Sequence, residues 1–516
     1  MRREQVFSGW GEPGAGPSLP AHARALLRDE LGIPGGVVSR PVALDDVVLA
    51  PSALPGRVRD RLARVAEVRD DREARILRCR GKSYLDLLAQ RAGDCASAPD
   101  AVVVPGDVAA VLRICAEEGV AVVPFGGGTS VVGGLAGLRG CFEALVSLDL
   151  GRLDGVLGVD AASLTAVFEP GIRLPEADRA LRASGLTLGH VPQSYEWVSV
   201  GGCVATRSAG QVSTGYGRID ENVLGLDLTT PSGTLRTLDV AATAAGPDLR
   251  QLAIGSEGAL GVITRVALRV HPLPAGVHRE GWSLPTFADG VEALRRLEQE
   301  GLAPEIARLS DAEETRLSLA LAGTGRLGRA LLGGRCLLVL GWEGRTGRRR
   351  AVAKRLLRWG ALPLGAKPGR AWTASRFAGP YLRDDLMDRG VLVETVETAT
   401  SWSSLAHLYA TVRAAFAGAH VGCHVSHLYP TGASLYFTIL ARQHADPAAQ
   451  WRTLKARALD AIVSAGGTIT HHHAIGHDHA PWLEAEIGPL GVDLLRTLKA
   501  HCDPAGIMNP GKLLPT

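Results

Sequence analysis

Apolar positions along this chain follow two spacings, and the places where one gives way to the other mark its elements. An apolar run begins at residue 101 (AVVV), positions three and four apart follow over 107–118, and a second run comes at 120–123. That order predicts strand, helix and strand in a βαβ-like unit. Further strands are predicted at 144–149 and 164–169, a helix at 174–183, and a strand pair around 224–235 with its turn at Pro231, Ser232 and Gly233. Residues 255–270 read as a Gly-rich turn entering a strand. Beyond a Pro/Gly-containing linker at 273–280, helices alternate with short apolar strands, expected at 336–340, 391–397, 423–428 and 435–440. A helix at 491–501 leads into a closing loop, and ahead of residue 99 stand an amphipathic helix at 21–31 and a charged helical stretch at 58–71. The segment 81–88 is expected at a domain entrance.

The pattern is that of an α+β protein. With 516 residues the chain exceeds one compact core. We divide it into an N-terminal region (1–98), a nucleotide-binding domain (99–272), a second domain with a mainly antiparallel sheet (273–480) and a C-terminal helix and loop (481–516) that pack back on the nucleotide-binding domain. A composition of 46% apolar residues leaves no doubt about cores. Formal charge is +3, and the only basic run is Arg348, Arg349 and Arg350, which excludes a nucleic-acid partner. Eight cysteines lie scattered without a CxxC pair, as expected of reduced thiols. No apolar run has the length of a membrane span, so the expectation is a cytoplasmic protein that at most touches a membrane surface.

Candidate chemistry concentrates after the 120–123 strand, in PFGGGTSVVGG (124–134). Glycine lets the backbone pass through positive φ and turn N–H groups inward, and Thr129 and Ser130 add hydroxyls, a nest suited to a pyrophosphate. The stretch has neither the Gly-Lys-Ser/Thr ending of an NTPase loop nor the spacing of the GxGxxG fingerprint, and its Val/Gly continuation is a poor helix start. No helix dipole is expected to assist. Residues 193–217 form a second Gly/Ser/Thr-rich cluster, expected as a long loop without secondary structure, and 224–235 and 255–270 are two more. Singly, each reads as turn chemistry.

Together and in this order, the clusters resemble the FAD-binding domain of the vanillyl-alcohol oxidase superfamily and, within it, the alkyldihydroxyacetonephosphate synthase family. The residues that carry the resemblance are PFGGGTS; Gly189, His190, Pro192, Ser194, Glu196, Gly201 and Gly202; TRSAG at 206–210; and GSEGALGVIT at 255–264. The resemblance runs from about residue 99 to the C-terminus and implies a PCMH-type two-subdomain FAD-binding domain. It implies a pyrophosphate cradle at Pro124, Phe125, Gly126, Gly127, Gly128, Thr129 and Ser130. A lining for the isoalloxazine, ribose and adenine is implied for Gln193, Ser194, Tyr195, Glu196, Trp197, Val198 and Ser199, for Thr206, Arg207, Ser208 and Ala209, and for Glu257, Gly258, Ala259, Leu260, Gly261, Val262 and Ile263. Some relatives attach FAD through a histidine after the glycines. Thr129 stands here, so FAD is expected without a covalent link.

The resemblance continues into the second domain. It implies that Arg308, before an acidic helix, is needed for activity, that Arg383 in PYLRDDL holds a substrate phosphate, that Tyr436 in GASLYFT handles a proton, and that His471, His472 and His473 are catalytic. Read by residue type alone, an Arg in an RDD run is a solvated or locally paired charge and a Tyr between Leu and Phe is core. The run HHHAIGHDH could be a metal cluster with His477 and His479, yet neighbouring histidines on an extended chain point to opposite faces, so acid/base work is expected and no metal. The implied reaction replaces the acyl group of acyl-dihydroxyacetone phosphate by a long-chain alcohol, with the flavin as covalent catalyst rather than electron carrier. The alternative is an FAD-dependent 2-hydroxy-acid dehydrogenase or oxidase of the D-lactate/glycolate type, whose matching region resembles SGEHGIG. His472 stands at its acidic position, which with Tyr436 favours ether formation. Expected partners are a phosphorylated lipid-like substrate and, by family expectation, a second copy in a homodimer; an apolar tunnel would be lined by 317–340.

Overall fold

The computed structural model describes residues 3–33, 36–322, 334–344 and 346–514. The strand–helix–strand unit folds as Ala101–Pro105, Val108–Glu118 and Val120–Phe125. The Asp107 carboxylate accepts from the Ala110 N–H (3.0 Å) at the helix start, and Gly119 at φ +64° ends it. The two strands are not neighbours, because Ala144–Asp149 inserts between them and runs parallel to both. On the outer side of Ala101–Pro105 lies an antiparallel strand, Ala66–Arg69, where the sequence suggested continuous helix over 58–71. The helix there stops at Leu62 (Gly56–Leu62), since Val58 and Leu62 exhaust its buried face and the next segment gains ladder bonds.

A second, antiparallel sheet has the order Val156–Asp160, Thr165–Phe168, Val262–Arg269, Val223–Thr230 and Gly233–Arg236. The chain then enters a seven-stranded antiparallel sheet. Its order is Leu362–Gly365, Val277–Leu284, Cys336–Glu343, Ile306–Ser310, His420–Tyr429, Gly432–Arg442 and Val391–Ser401. The 273–280 linker is thus shorter than expected, as its last residues already pair in the sheet.

Alternation sorts the two faces of this large sheet. Leu309, Val421, Cys423, Val425, Leu435, Phe437, Ile439 and Val396 point to one side and form a buried cluster with helices Phe287–Gln299, Leu405–Ala415 and Pro447–Ser464. The residues between them face the nucleotide-binding domain. Helix Leu483–Cys502 begins earlier than expected, with a break at Gly488, and returns the chain to that domain. There Lys499 Nζ donates to the Ala259 carbonyl (2.7 Å), and Val122 exchanges backbone hydrogen bonds with Ile507 and Asn509. No helix among the described residues is long and apolar enough to cross a membrane.

Candidate active site

A cavity of about 460 Å³ lies between the glycine-rich loops and the polar face of the large sheet. One wall is the 124–130 loop, whose three glycines are needed for different reasons. Gly128 alone has positive φ (+71°). A β-carbon on Gly127 would sit 2.2 Å from the Trp197 carbonyl oxygen, and one on Gly126 2.5 Å from Ser199 Oγ. The cradle therefore interlocks with the 193–199 loop, and side chains are excluded by that packing. Among the described residues the N–H groups of 126–130 find no protein acceptor, although the loop borders the cavity. A row of free amides bordering the cavity fits a diphosphate and the cofactor the sequence implies. Gly127→Ala is expected to give a protein that purifies without yellow colour, read directly from its visible absorbance; flavin bound at the wild-type level would remove the cradle from the argument.

The polar row on the sheet is set by register. Glu397, Tyr436 and His424 are directly opposite one another on three neighbouring strands, so all three project from one face. The Tyr436 ring stacks on His424 (4.8 Å, 21°) and His472 (6.0 Å, 20°). Burial pushes its phenol up to about 12, so it stays a donor. Two residues along the next strand, Arg308 donates to Glu314 and to His424 Nε2 (3.1 Å), while both Glu314 oxygens lie 3.0 Å from His424 Nδ1. Burial alone would raise the Glu314 carboxyl, but His424 and Arg308 hold it at about 2. Arg308 Nη2 also lies 3.0 Å from His424 Nδ1, so the guanidinium and the carboxylate together hold the ring in place. Arg308 thus acts on Tyr436 through His424.

Three histidines on a loop need a holder, and it is Glu397. Its carboxylate accepts from the Thr470 hydroxyl (2.6 Å), from the N–H groups of His472 (3.2 Å) and His473 (2.9 Å), and from that of His471. Burial opposes its charge, yet the carboxyl lies well below its usual range, its charge favoured by the histidine loop that surrounds it and by the Thr470 hydroxyl that donates to it. The loop is tied on its far side by Glu257, which accepts from the N–H groups of Ile475 and Gly476 (2.8 Å each), and by the Val132 carbonyl, which accepts from His477 N. Two sequence clusters that singly read as turns, 124–134 and 255–270, therefore meet the histidine loop here. His472 and His473 border the cavity; His471 does not, and instead its Nε2 lies 2.6 Å from the Tyr429 hydroxyl. Burial lowers all three imidazoles, His472 to about 3, so they are neutral. Ligand atoms of Glu397, His471 and His472 lie within 4.8 Å of one another, but a cation would have to displace the donors that occupy the carboxylate.

Arg383 projects from helix Gly379–Asp388 into the cavity. Its Nη1 donates to the Lys82 carbonyl (2.7 Å), and Nη2 is buried without a hydrogen-bond partner. The N-terminal region carries no motif, but its 81–88 segment, expected at a domain entrance, contributes Lys82, Ser83 and Tyr84 to the lining, and Trp10 joins them. Its first residues bridge both domains. Gln5 donates to the Gly127 carbonyl (2.9 Å), Lys82 Nζ to that of Val6 (2.7 Å), and the Trp10 N–H to Asp384 (2.6 Å).

Other expectations are corrected. The 193–217 segment is not an open loop, since helices Val200–Ala205 and Ser213–Tyr216 form within it. Within the implied FAD lining, Tyr195 turns away to donate to Asp178 (3.0 Å), Arg207 reaches Gln251 at the surface, and Glu196, Trp197, Ala259 and Leu260 do not border the cavity. Trp197 serves through its carbonyl against Gly127. Nor do the described parts of 317–340 line the cavity: Leu317 and Leu321 pack beside helix Ala21–Leu31, Leu338 and Leu340 are core, and 323–333 lie outside the described residues. Functional-site residues missed from sequence are His424, His427, Glu397, Lys82 and Trp372. Two histidines in a Val-rich strand (GCHVSHLY) were the available signal for the first pair.

Comparison with known proteins agrees with this geometry. Residues 99–239 match the family described as FAD binding domain, and residues 273–513 match the C-terminal domain of FAD linked oxidases. The alkyldihydroxyacetonephosphate synthase of Dictyostelium discoideum is 33% identical over 97% of this chain and 88% of its own length. That of Trypanosoma brucei brucei is 31% identical over 99% and 93%. A solved alkyldihydroxyacetonephosphate synthase superposes with a TM-score of 0.85 at 29% identity, covering 99% of both chains.

Proposed function

The chain belongs to the alkyldihydroxyacetonephosphate synthase family, and from that premise we propose that it exchanges the acyl group of an acyl-dihydroxyacetone phosphate for a long-chain alcohol, with FAD as cofactor. The observation that carries the reading is one cavity holding a cradle of free amides, an incompletely partnered buried arginine and a tyrosine stacked between imidazoles. Bound FAD supplies covalent activation of the substrate carbon without net oxidation. Arg383 takes the substrate phosphate through its open Nη2, since a buried guanidinium lacks acceptors that an oxyanion provides. Tyr436 holds a proton at its phenol oxygen, and the neutral imidazoles of His472 and His473 accept protons from C1 and from the alcohol. Arg308, with Glu314, orients His424 under Tyr436. Trp10 and Trp372 wall the cavity against water.

Thr129 offers no group for a covalent flavin bond, so the flavin is held by packing and hydrogen bonds. The proposal extends to a homodimer that meets a membrane at its periphery, because both substrates carry long alkyl chains; sedimentation with and without lipid vesicles tests this.

One preparation decides the reaction. Given palmitoyl-dihydroxyacetone phosphate and hexadecanol, it is expected to yield ether lipid and palmitate without reducing a redox dye. Dye reduction by lactate or glycolate, with no ether product, would replace this reading by the 2-hydroxy-acid oxidase one. Acid precipitation of the same sample is expected to leave the yellow colour in solution.

A further inference from the structure

The proposed exchange leaves a proton behind. The C1–O bond to the acyl group breaks, a C1–O bond to the alkyl group forms, no electrons are transferred overall, and the fatty acid departs as its carboxylate near neutral pH. The alcohol's hydrogen must therefore leave the cavity and reach solvent as a proton. His472 borders that cavity, and its Nδ1 lies 3.0 Å from His471 Nδ1. His471 Nε2 lies 2.6 Å from the Tyr429 hydroxyl. Tyr429 is half-buried at the end of strand His420–Tyr429, followed by the exposed Pro430 and Thr431.

Resting on the synthase reading, we propose that His472, His471 and Tyr429 form a proton exit from the active site, with Tyr429 as its outer gate. In one set of tautomers every group donates outward in series: His472 Nδ1–H to His471 Nδ1, His471 Nε2–H to the Tyr429 oxygen, and the phenol O–H to water. Nε2 of His472 is then an acceptor on the cavity side, where the alcohol gives up its proton. Each proton entering there moves one along each link and leaves one at the surface. The wire is held at both ends. Glu397 grips the backbone of His471 and His472, and Arg218 donates to the His471 carbonyl (2.8 Å) while pairing with Asp220 (3.0 Å) beside Tyr429. His427, 4.9 Å from the His471 ring and 5.4 Å from that of His472, packs against the wire without joining it, since its own nitrogens face Ser426, Ser434 and the Gly210 carbonyl.

The test is single-turnover kinetics of the FAD-loaded enzyme, with ether lipid measured by quench and proton release by a pH-indicator dye. Tyr429→Phe keeps the ring and removes only the hydroxyl. It is expected to retain its flavin spectrum, to slow ether-lipid formation about 100-fold, and to enlarge the solvent deuterium isotope effect on that step. His471→Gln interrupts the same wire one link inward, so it should show the same signature, and the double variant should be no slower than the slower single. Variants with wild-type rates and isotope effects, or single effects that multiply in the double, would overturn the exit route. Should Tyr429→Phe fail to fold, His471→Gln alone carries these outcomes. A wild-type enzyme that releases no palmitate would sink the reaction and the wire together, whereas wild-type turnover with unaffected variants sinks the wire alone.

Discussion

Arg383→Met is expected to raise KM for the phosphorylated substrate about 100- to 1000-fold while leaving the free enzyme at least as stable as the wild type. The two effects have one origin. In the free protein the guanidinium is buried with Nη1 on the Lys82 carbonyl, Nε 3.7 Å from Asp384, and Nη2 without a partner. Burial pushes its pKa down, a sign that the surroundings resist the charge. Methionine removes that cost, and it also removes the unpartnered donor that is offered to the substrate phosphate. Arg383→Lys is not expected to restore binding, because a single ammonium cannot hold the Lys82 carbonyl and present a fork to an oxyanion at once. Initial rates against substrate concentration, with thermal unfolding of the same samples, read both halves. An unchanged KM would mean that the phosphate lies elsewhere.

Much of the fold was legible in spacing. The βαβ-like unit, the helix at 174–183 and four strands of the second domain were visible, because their apolar positions repeat at helical spacing or form continuous buried runs, whereas Val277–Leu284 was read as linker. Elements missed were those with no burial pattern of their own or with a partner far away in sequence. Val156–Asp160 is exposed along its whole length, so no burial pattern marks it, and it exists through pairing with Thr165–Phe168. Ala66–Arg69 looked helical for want of knowledge that Ala101–Pro105 offers it an edge.

The site divides in the same way. Loops that touch the cofactor cavity through backbone were readable, because glycine is selected wherever a β-carbon has no room, as at Gly127 and Gly258. Side chains that act through others were not. Nothing local in ETVETAT distinguishes Glu397 from a surface carboxylate; its role comes from lying opposite Tyr436 and under a loop 74 residues later. The same holds for Lys82, whose ammonium is buried by residues 6 and 7 and lowered to about 7 by that burial.

Tyr436→Phe should lower kcat about 1000-fold, with flavin still bound and KM within a few-fold of wild type. Phenylalanine preserves the ring between His424 and His472 and its place in strand Gly432–Arg442, so packing, stacking and the Glu397 row all survive. What disappears is a single O–H. Because burial sets that phenol at about 12, it is protonated throughout the neutral range, and no ionisation of Tyr436 should appear in the wild-type pH–rate profile until strongly alkaline pH. A tyrosine that merely filled space would tolerate the change, whereas one that holds and returns a proton at the reacting carbon would not. Near-wild-type kcat in the variant would take Tyr436 out of the chemistry and shift the proton handling to His472 and His473, whose neutral imidazoles border the same cavity.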